Sequence, residues 1–549
     1  MQPTGLSTLQ SRWGIALLLS CYFLSVTINL GVMELDGEEP RRAIISLEML
    51  ESGNYFSPTQ FGWLYYNKPA FFNWILIAFI RLFGNASEFV LRLPSLLFYL
   101  LWAAIHYRFS CRFMDKGLAL LSAFMLLTSA DIYFYGLANG AEIDIFYSFV
   151  VYLQVIAIFH YYQQRQWSML YLVSYLLCAI GFLTKGFPSL LFEGLTLTAL
   201  CIYNRSLKAV LRWQHVAGAM IFIIVCGAYL WAFSLKGDEV YLLANLLNES
   251  VAKSAVGVRS NRVLEKSVAY PFLLLKLVAP WSLLLLLLFN QSVRRMAFQN
   301  AWVRFSVLFI ACNIWVYWLT GQPKARYVYI FAPFASVVFV TLLRSWAQTK
   351  PALVNKVLKY PGWIFLIATA GVLALPFITA TALWLAIPVA LLLGAFTWFY
   401  FQVRAALRLW LFIAGIILLR LTYAVVLIPI LHRAKAYYQT PMAEVAAKFG
   451  NGPLTYYAPP EKLAVQAFYR YLPVSSDTVL TPKHIVSQLS YYYYRNTGQL
   501  MRYDTVQRAG ANMVSYAEDL KANGFVVIKQ MGPKREPGTL VFYRLDLTK

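Results

Sequence analysis

Apolar runs of about 18 to 23 residues recur along this chain from Trp13 to Ile430, each long enough to cross a hydrocarbon core of roughly 30 Å. Lipid is therefore the solvent for most of the chain, where backbone polar groups must be satisfied within helices. Of the 549 residues, 60% are hydrophobic and 13% charged, and the mean hydropathy is +0.58, which ordinary water-soluble domains do not approach. Residues 431–549 differ, because their apolar stretches shorten to strand length with polar residues between. The expected fold is mostly α: a polytopic transmembrane bundle over 1–430, followed by a small extracytoplasmic α/β domain over 431–549.

The formal net charge of +23 does not point to nucleic acid, since the Lys and Arg fall in short clusters between apolar runs. With Trp13 to Val32 as a retained first span running outward, the clusters Arg108/Arg112/Lys116, Arg165, Arg205/Lys208/Arg212, Arg294/Arg295, Arg344/Lys350/Lys356/Lys359 and Arg404/Arg408 all fall inside if there are about thirteen spans. The odd count places the tail outside. Phe71 to Phe83 is apolar but too short to cross, so it is assigned as an interfacial or re-entrant helix. Residues 34–93 then form one long outer loop, with Ile44 to Leu50 expected along the membrane surface. In the tail, strands are expected at Leu454 to Tyr457, Phe525 to Ile528 and Leu540 to Leu545, and helices near Ala464 to Tyr471 and Val514 to Asn523. All six cysteines lie in or beside apolar segments without CxxC spacing, so neither a disulfide framework nor a zinc knuckle is indicated.

Sorting the charges by side separates chemistry from topology. The inner loops are almost purely basic, whereas the outer side mixes acids and bases: Asp36, Glu38, Glu39, Arg41, Arg42, Lys68, Arg92, Glu142, Asp144, Lys185, Lys324 and Arg326. Such a mixture suits glycosyl transfer from a lipid phosphate, where a carboxylate takes the acceptor's proton and cations hold the departing phosphate. Glu38 and Asp144 are the candidate catalytic carboxylates, and Lys68 and Arg326 the leading phosphate ligands. Glu39, Arg41, Arg42, Tyr65, Lys185, Lys324 and Tyr327 complete the candidate substrate-binding set. Crowding of Asp36, Glu38 and Glu39 should raise one proton affinity unless cations offset it. Plainer roles stand beside these: a helix cap for Asp144, an interfacial belt for Tyr65, snorkelling for Lys185. Arg420, near the middle of the last span, needs a partner, with Glu193 or Asp131 as candidates. Five histidines share no ligand spacing. No cofactor is assigned, although Asp36-Gly37-Glu38 is a candidate divalent-cation site.

The outer-side residues also carry a family likeness. The stretch Glu38-Glu39-Pro40-Arg41-Arg42-Ala43, with Glu48-Met49-Leu50, Ser52-Gly53-Asn54, Pro58, Tyr65 and Lys68-Pro69, resembles the first outer loop of bacterial GT-C glycosyltransferases. That group includes the ArnT-type lipid A aminoarabinose transferases, their galacturonosyl-transferring relatives and the protein mannosyltransferases. Arg92-Leu93-Pro94-Ser95, Thr184-Lys185-Gly186 and Lys324 to Tyr327 are similar to later blocks in the same order. The resemblance implies an undecaprenyl-phosphate-linked sugar donor, a lipid or glycan acceptor, transfer at the periplasmic face of the inner membrane and inversion at the anomeric carbon. It puts the family's catalytic carboxylate on Glu38, its phosphate-contacting lysine on Lys68, and its outer-loop Arg and Tyr on Arg326 and Tyr327. The family usually has Asp-Glu where this chain has Glu38-Glu39, and aminoarabinose transferases commonly carry an acid where it has Asn67. Two other readings remain at this point: a transporter or flippase for a lipid-linked sugar, and a noncatalytic binding member.

Overall fold

The computed structural model describes residues 12–135, 140–253, 260–318, 324–379, 383–450, 452–459, 463–465, 480–482, 487–508, 510–520, 525–532 and 538–545. Among them nine helices are long and apolar enough to cross a membrane, or ten if the pair Val268–Leu277 and Trp281–Phe289, bent by 117°, is one broken span. The chain is thus a multi-pass membrane protein. The expected thirteen is reached only by adding shorter apolar helices, of which there are four, Arg12–Thr27, Phe71–Phe83, Lys116–Leu127 and Pro188–Tyr203: all four to nine spans, or three to ten. Length and composition do not establish that number.

The first ten helices set the frame: α1 (Arg12–Thr27), α2 (Glu39–Ser52), α3 (Phe71–Phe83), α4 (Glu88–Ser110), α5 (Lys116–Leu127), α6 (Ile143–Gln163), α7 (Trp167–Lys185), α8 (Pro188–Tyr203), α9 (Trp213–Ser234) and α10 (Glu239–Lys253). Their ends are written locally. Pro40 sits in the first turn of α2, and Gly53 ends that helix in the left-handed region at φ 66°. Ser87 caps α4 by accepting from the Val90 amide, and Gly186, at φ 90°, stops α7 one residue after Lys185.

The first loop is not bare. Ile44, Ile45, Leu47 and Met49 of α2 are all buried, with α3 on one side and the tail helix Ser487–Thr497 on another. The expectation that Ile44 to Leu50 lies along a membrane surface is therefore corrected, because the tail covers that helix. Asn73 of α3 donates from Nδ2 to the Arg42 carbonyl (3.1 Å) and to Ser46 Oγ (2.9 Å). One apolar cluster joins Leu35, Ile44, Leu47 and Phe72 to Met442, Leu489, Tyr491 and Tyr492. Loop and tail form a collar at one end of the bundle.

Buried carboxylates pin the collar. Glu39 accepts from Arg92 in a fork (Nε to Oε1 2.8 Å, Nη2 to Oε2 2.9 Å), from the Ala141 amide (2.8 Å) and from the Asp36 amide (3.0 Å). Arg92 in turn donates to the carbonyls of Leu30, Met33 and Glu34. Breaking so buried a pair costs about 3–5 kcal/mol. Glu34 accepts three backbone N–H bonds from Tyr437, Tyr438 and Gln439, at 2.6 to 2.9 Å, where the tail begins. Glu48 takes the amides of Phe61 and Gly62 and the Thr59 hydroxyl. Its pKa is raised, by burial above all.

The tail's main sheet has the order Arg502–Asp504, Leu454–Tyr457, Asn512–Tyr516, Leu540–Leu545, Phe525–Met531. The first two strand pairs are parallel and the last two antiparallel. The three expected strands are present. The helix expected from Val514 to Asn523 is instead the end of a central strand and a short 3-10 turn at Ala517–Asp519; 521–524 lie outside the described residues. All five residues of Asn512–Tyr516 are buried, so neighbouring strands on both sides outweigh local helix preference. Near Ala464 the chain pairs as a strand, Leu463–Val465 with Leu480–Pro482, and 466–471 lie outside the described residues. Arg420 bonds neither Glu193 nor Asp131. Its Nε donates to the Tyr133 carbonyl at 3.0 Å, and its guanidinium lies over the rings of Tyr133 and Tyr423. A backbone carbonyl and two π faces meet this charge where the sequence suggested a carboxylate, and its buried Nη1 has no hydrogen-bond partner among the described residues.

Candidate active site

Several chain segments converge on a cavity of about 240 Å³ beneath the collar. The first loop and α2 supply Glu38, Arg41 and Arg42, and the segment before α3 supplies Tyr65 and Lys68. The start of α6 brings Glu142 and Asp144, the end of α7 Lys185, and the 3-10 turn Ala325–Phe331 with the residue before it Lys324, Arg326 and Tyr327. Of the eleven residues nominated from sequence, all but Glu39 line this cavity. Glu39, expected among the substrate-binding residues, faces away from the cavity into the collar pair with Arg92.

The floor is an ion-pair network. Asp144, 3% exposed, accepts from Lys185 Nζ at 2.5 Å through Oδ1, and its Oδ2 lies 3.8 Å from Arg326 Nε. Lys185 Nζ also stands 4.9 Å from the Tyr147 ring centroid and 4.6 Å from that of Tyr327. This is a built site, unlike a lysine snorkelling to headgroups. Arg326 donates to Glu142 as well. Burial, and then repulsion from Asp144, push the Glu142 carboxyl up to about 7 even though Arg326 pulls the other way. The sequence reading placed Glu142 on this side of the membrane but not in the site.

At the cavity wall Glu38 Oε2 accepts from Arg41 Nη1 at 2.9 Å. Burial works to raise its pKa, but Arg41 first, then Arg42, Arg326 and Lys324, outweigh it and hold the carboxyl below the usual glutamate value. The proton affinity that crowding was expected to raise is thus offset by cations at Glu38. Arg42 donates to the Tyr65 hydroxyl at 3.2 Å, so Tyr65 is a buried partner and not belt filling. Lys68 pairs with Glu249 of α10, which the sequence reading did not single out because it lies far from the family-like blocks.

Six cationic side chains and four acidic ones line the cavity, a formal excess of two positive charges, which suits a bound phosphate. Phe187, Pro188, Leu191 and Val316 give one wall an apolar lining. Among the described residues no group of three or more His, Cys, Asp or Glu is arranged to hold a metal ion.

Residues 67–231 match the family described as dolichyl-phosphate-mannose-protein mannosyltransferase. An undecaprenyl phosphate-alpha-4-amino-4-deoxy-L-arabinose arabinosyl transferase of Pseudomonas fluorescens is 28% identical over 250 residues, a stretch that spans 42% of this chain and 42% of the relative. Its counterpart in Erwinia tasmaniensis is 29% identical over 213 residues, 37% of this chain and 36% of the relative. In three dimensions the chain is similar to ArnT from Cupriavidus metallidurans bound to undecaprenyl phosphate, with TM-score 0.67 and 15% identity over 97% of this chain and 98% of that one. The apo form of that protein gives a TM-score of 0.62. The family match covers less than half of the chain, and the structural likeness, at 15% identity, is one of fold. The chain is similar to ArnT in fold over nearly its whole length, and to these arabinosyl transferases in sequence over less than half of its own length and of theirs.

Proposed function

We propose that this chain is a membrane glycosyltransferase that moves a sugar from a polyprenyl phosphate, of the undecaprenyl kind, to a lipid or glycan acceptor at the periplasmic face of the inner membrane. The observation that carries this reading is the gathering of Glu38, Asp144, Lys68, Lys185, Lys324 and Arg326 around one cavity with an apolar wall. The acceptor's hydroxyl or amine attacks the anomeric carbon, the bond from that carbon to the phosphate oxygen breaks, and the polyprenyl phosphate leaves with the electron pair. Glu38, held ionised by Arg41 and its neighbours, takes the acceptor's proton. Lys68 and Arg326 face the extra negative charge that the phosphate gains on leaving. Asp144 has both oxygens occupied by cations, which fits it to position Lys185 and Arg326 and leaves Glu38 as the base. In this reading the tail and collar stand on the periplasmic side, and 1–430 and 431–549 are the catalytic and soluble parts.

A flippase is not favoured, because the acids and cations gather at one end of the bundle, whereas transporters keep theirs near the midplane. Detergent removes the two sides a flippase needs. Solubilised protein given a polyprenyl-phosphate sugar and an envelope lipid extract is expected to release free polyprenyl phosphate; its absence with every donor tried would end the proposal. Mass spectrometry of envelope lipids and glycans with and without the protein is expected to show one sugar-sized mass difference, which names donor and acceptor together.

A further inference from the structure

The helices that build the cavity floor have a second concave site at their other ends. α6 runs from Ile143, beside Asp144, to Gln163, α7 from Trp167 to Lys185, and α8 from Pro188 to Tyr203. At roughly 1.5 Å per residue these ends lie about 25–30 Å apart, one hydrocarbon thickness. At the far end are two adjoining clefts of about 770 and 520 Å³ that share Trp167, Ser206 and Arg212. Arg165, Arg205, Lys208, Arg212 and Arg304 line them, and no Asp or Glu does among the described residues. This contrasts with the cavity, where acids offset most of the cations.

Loose basic residues at a membrane boundary report topology only, but two of these, Arg212 and Arg304, are held in place. The Arg212 guanidinium stacks over Trp167 at 4.5 Å. Arg304 donates through Nη1 to the carbonyls of Phe298 (3.0 Å) and Gln299 (2.8 Å), which fixes its fork beside the cleft. Arg165 sits in the left-handed region at φ 56°, where the chain turns from α6 into α7. Phe159, Leu200 and Phe305, all buried, back the cleft together with Leu308, and the open apolar surface beside it is that of Ile202, Leu207 and Leu211, each more than half exposed. Cations, a polar floor with Asn204 and Ser206, and a greasy wall in continuity match a charged head with a chain attached.

We propose that this cleft binds the phosphate headgroup of an anionic glycerophospholipid, of the phosphatidylglycerol kind, in the leaflet opposite the cavity, with an acyl chain along the apolar wall. Basic pockets between transmembrane helices hold acidic lipids by this chemistry. The proposal does not depend on the function assigned to the cavity.

Native mass spectrometry of the full chain, released from detergent supplemented with phosphatidylglycerol or phosphatidylcholine, tests it. The expected result is a persistent phosphatidylglycerol adduct, with none from phosphatidylcholine, and an affinity lowered by roughly two orders of magnitude in the R165Q/R212Q/R304Q variant, at roughly fivefold per cation. Equal retention of both lipids, or by both proteins, overturns it. So does displacement of the adduct by millimolar inorganic phosphate, which would make the site one for a soluble anion. Photoactivatable phosphatidylglycerol on the unaltered chain needs no variant to fold, and is expected to label peptides within 159–212 and 301–308. Labelling confined to other segments overturns the proposal.

Discussion

The collar and the cavity both bury carboxylates, but they satisfy them differently. In the collar, Glu34 and Glu48 are met mainly by backbone N–H groups, and Glu39 by a bidentate arginine and two amides. In the cavity, Glu38, Glu142 and Asp144 are met by lysine and arginine side chains, Glu142 and Asp144 sharing Arg326. An acid saturated by backbone ties segments together. One that shares mobile cations around a cavity can exchange partners with a ligand. Glu38 and Glu39 are adjacent, yet fall on opposite sides of this division.

Four substitutions would break or sharpen that contrast. Glu38→Gln is expected to cut transfer by about 10²- to 10⁴-fold while shifting the melting midpoint by no more than about 2 °C; a large thermal loss would make Glu38 a collar residue. Glu39→Gln should do the reverse, lowering stability by about 3–5 kcal/mol in thermal or denaturant unfolding, with the surviving folded protein still binding donor. Glu34→Gln weakens three charge-assisted bonds and should cost about 1–3 kcal/mol, seen as faster proteolysis where the tail begins near 431–439. The smallest effect belongs to Glu142. Its carboxyl titrates near 7 in the fold against 4.5 when unperturbed, so the folded chain binds more protons across that window. Stability should fall as pH rises from about 4.5 to 7, and Glu142→Gln should flatten that part of the profile; an unchanged slope would remove Glu142 from the coupled floor.

The membrane class was legible because twenty-residue apolar runs have few other uses, and the cavity was legible because its residues sit in short, charge-dense blocks. What escaped was pairing at a distance. Glu249 meets Lys68 across 181 positions, and no local pattern announces it. Glu39 looked like its neighbour by residue type, and only its rotation on α2 toward Arg92 separates the two. Asn512–Tyr516 reads as helix-compatible until two strands flank it, and Arg420 found a carbonyl and aromatic faces, acceptors that a search for acids passes over.

One consequence of the Glu39 fork concerns how such a protein can vary. The base proposed for chemistry is a single peptide unit, about 3.8 Å, from the anchor, so it has no independent means of holding its place. A misplacement of about 1 Å can cost on the order of 100-fold in rate. Replacements at 39 or 92 that preserve the fold will therefore still register as altered turnover, and tolerance measured by expression alone will overstate the freedom of both positions.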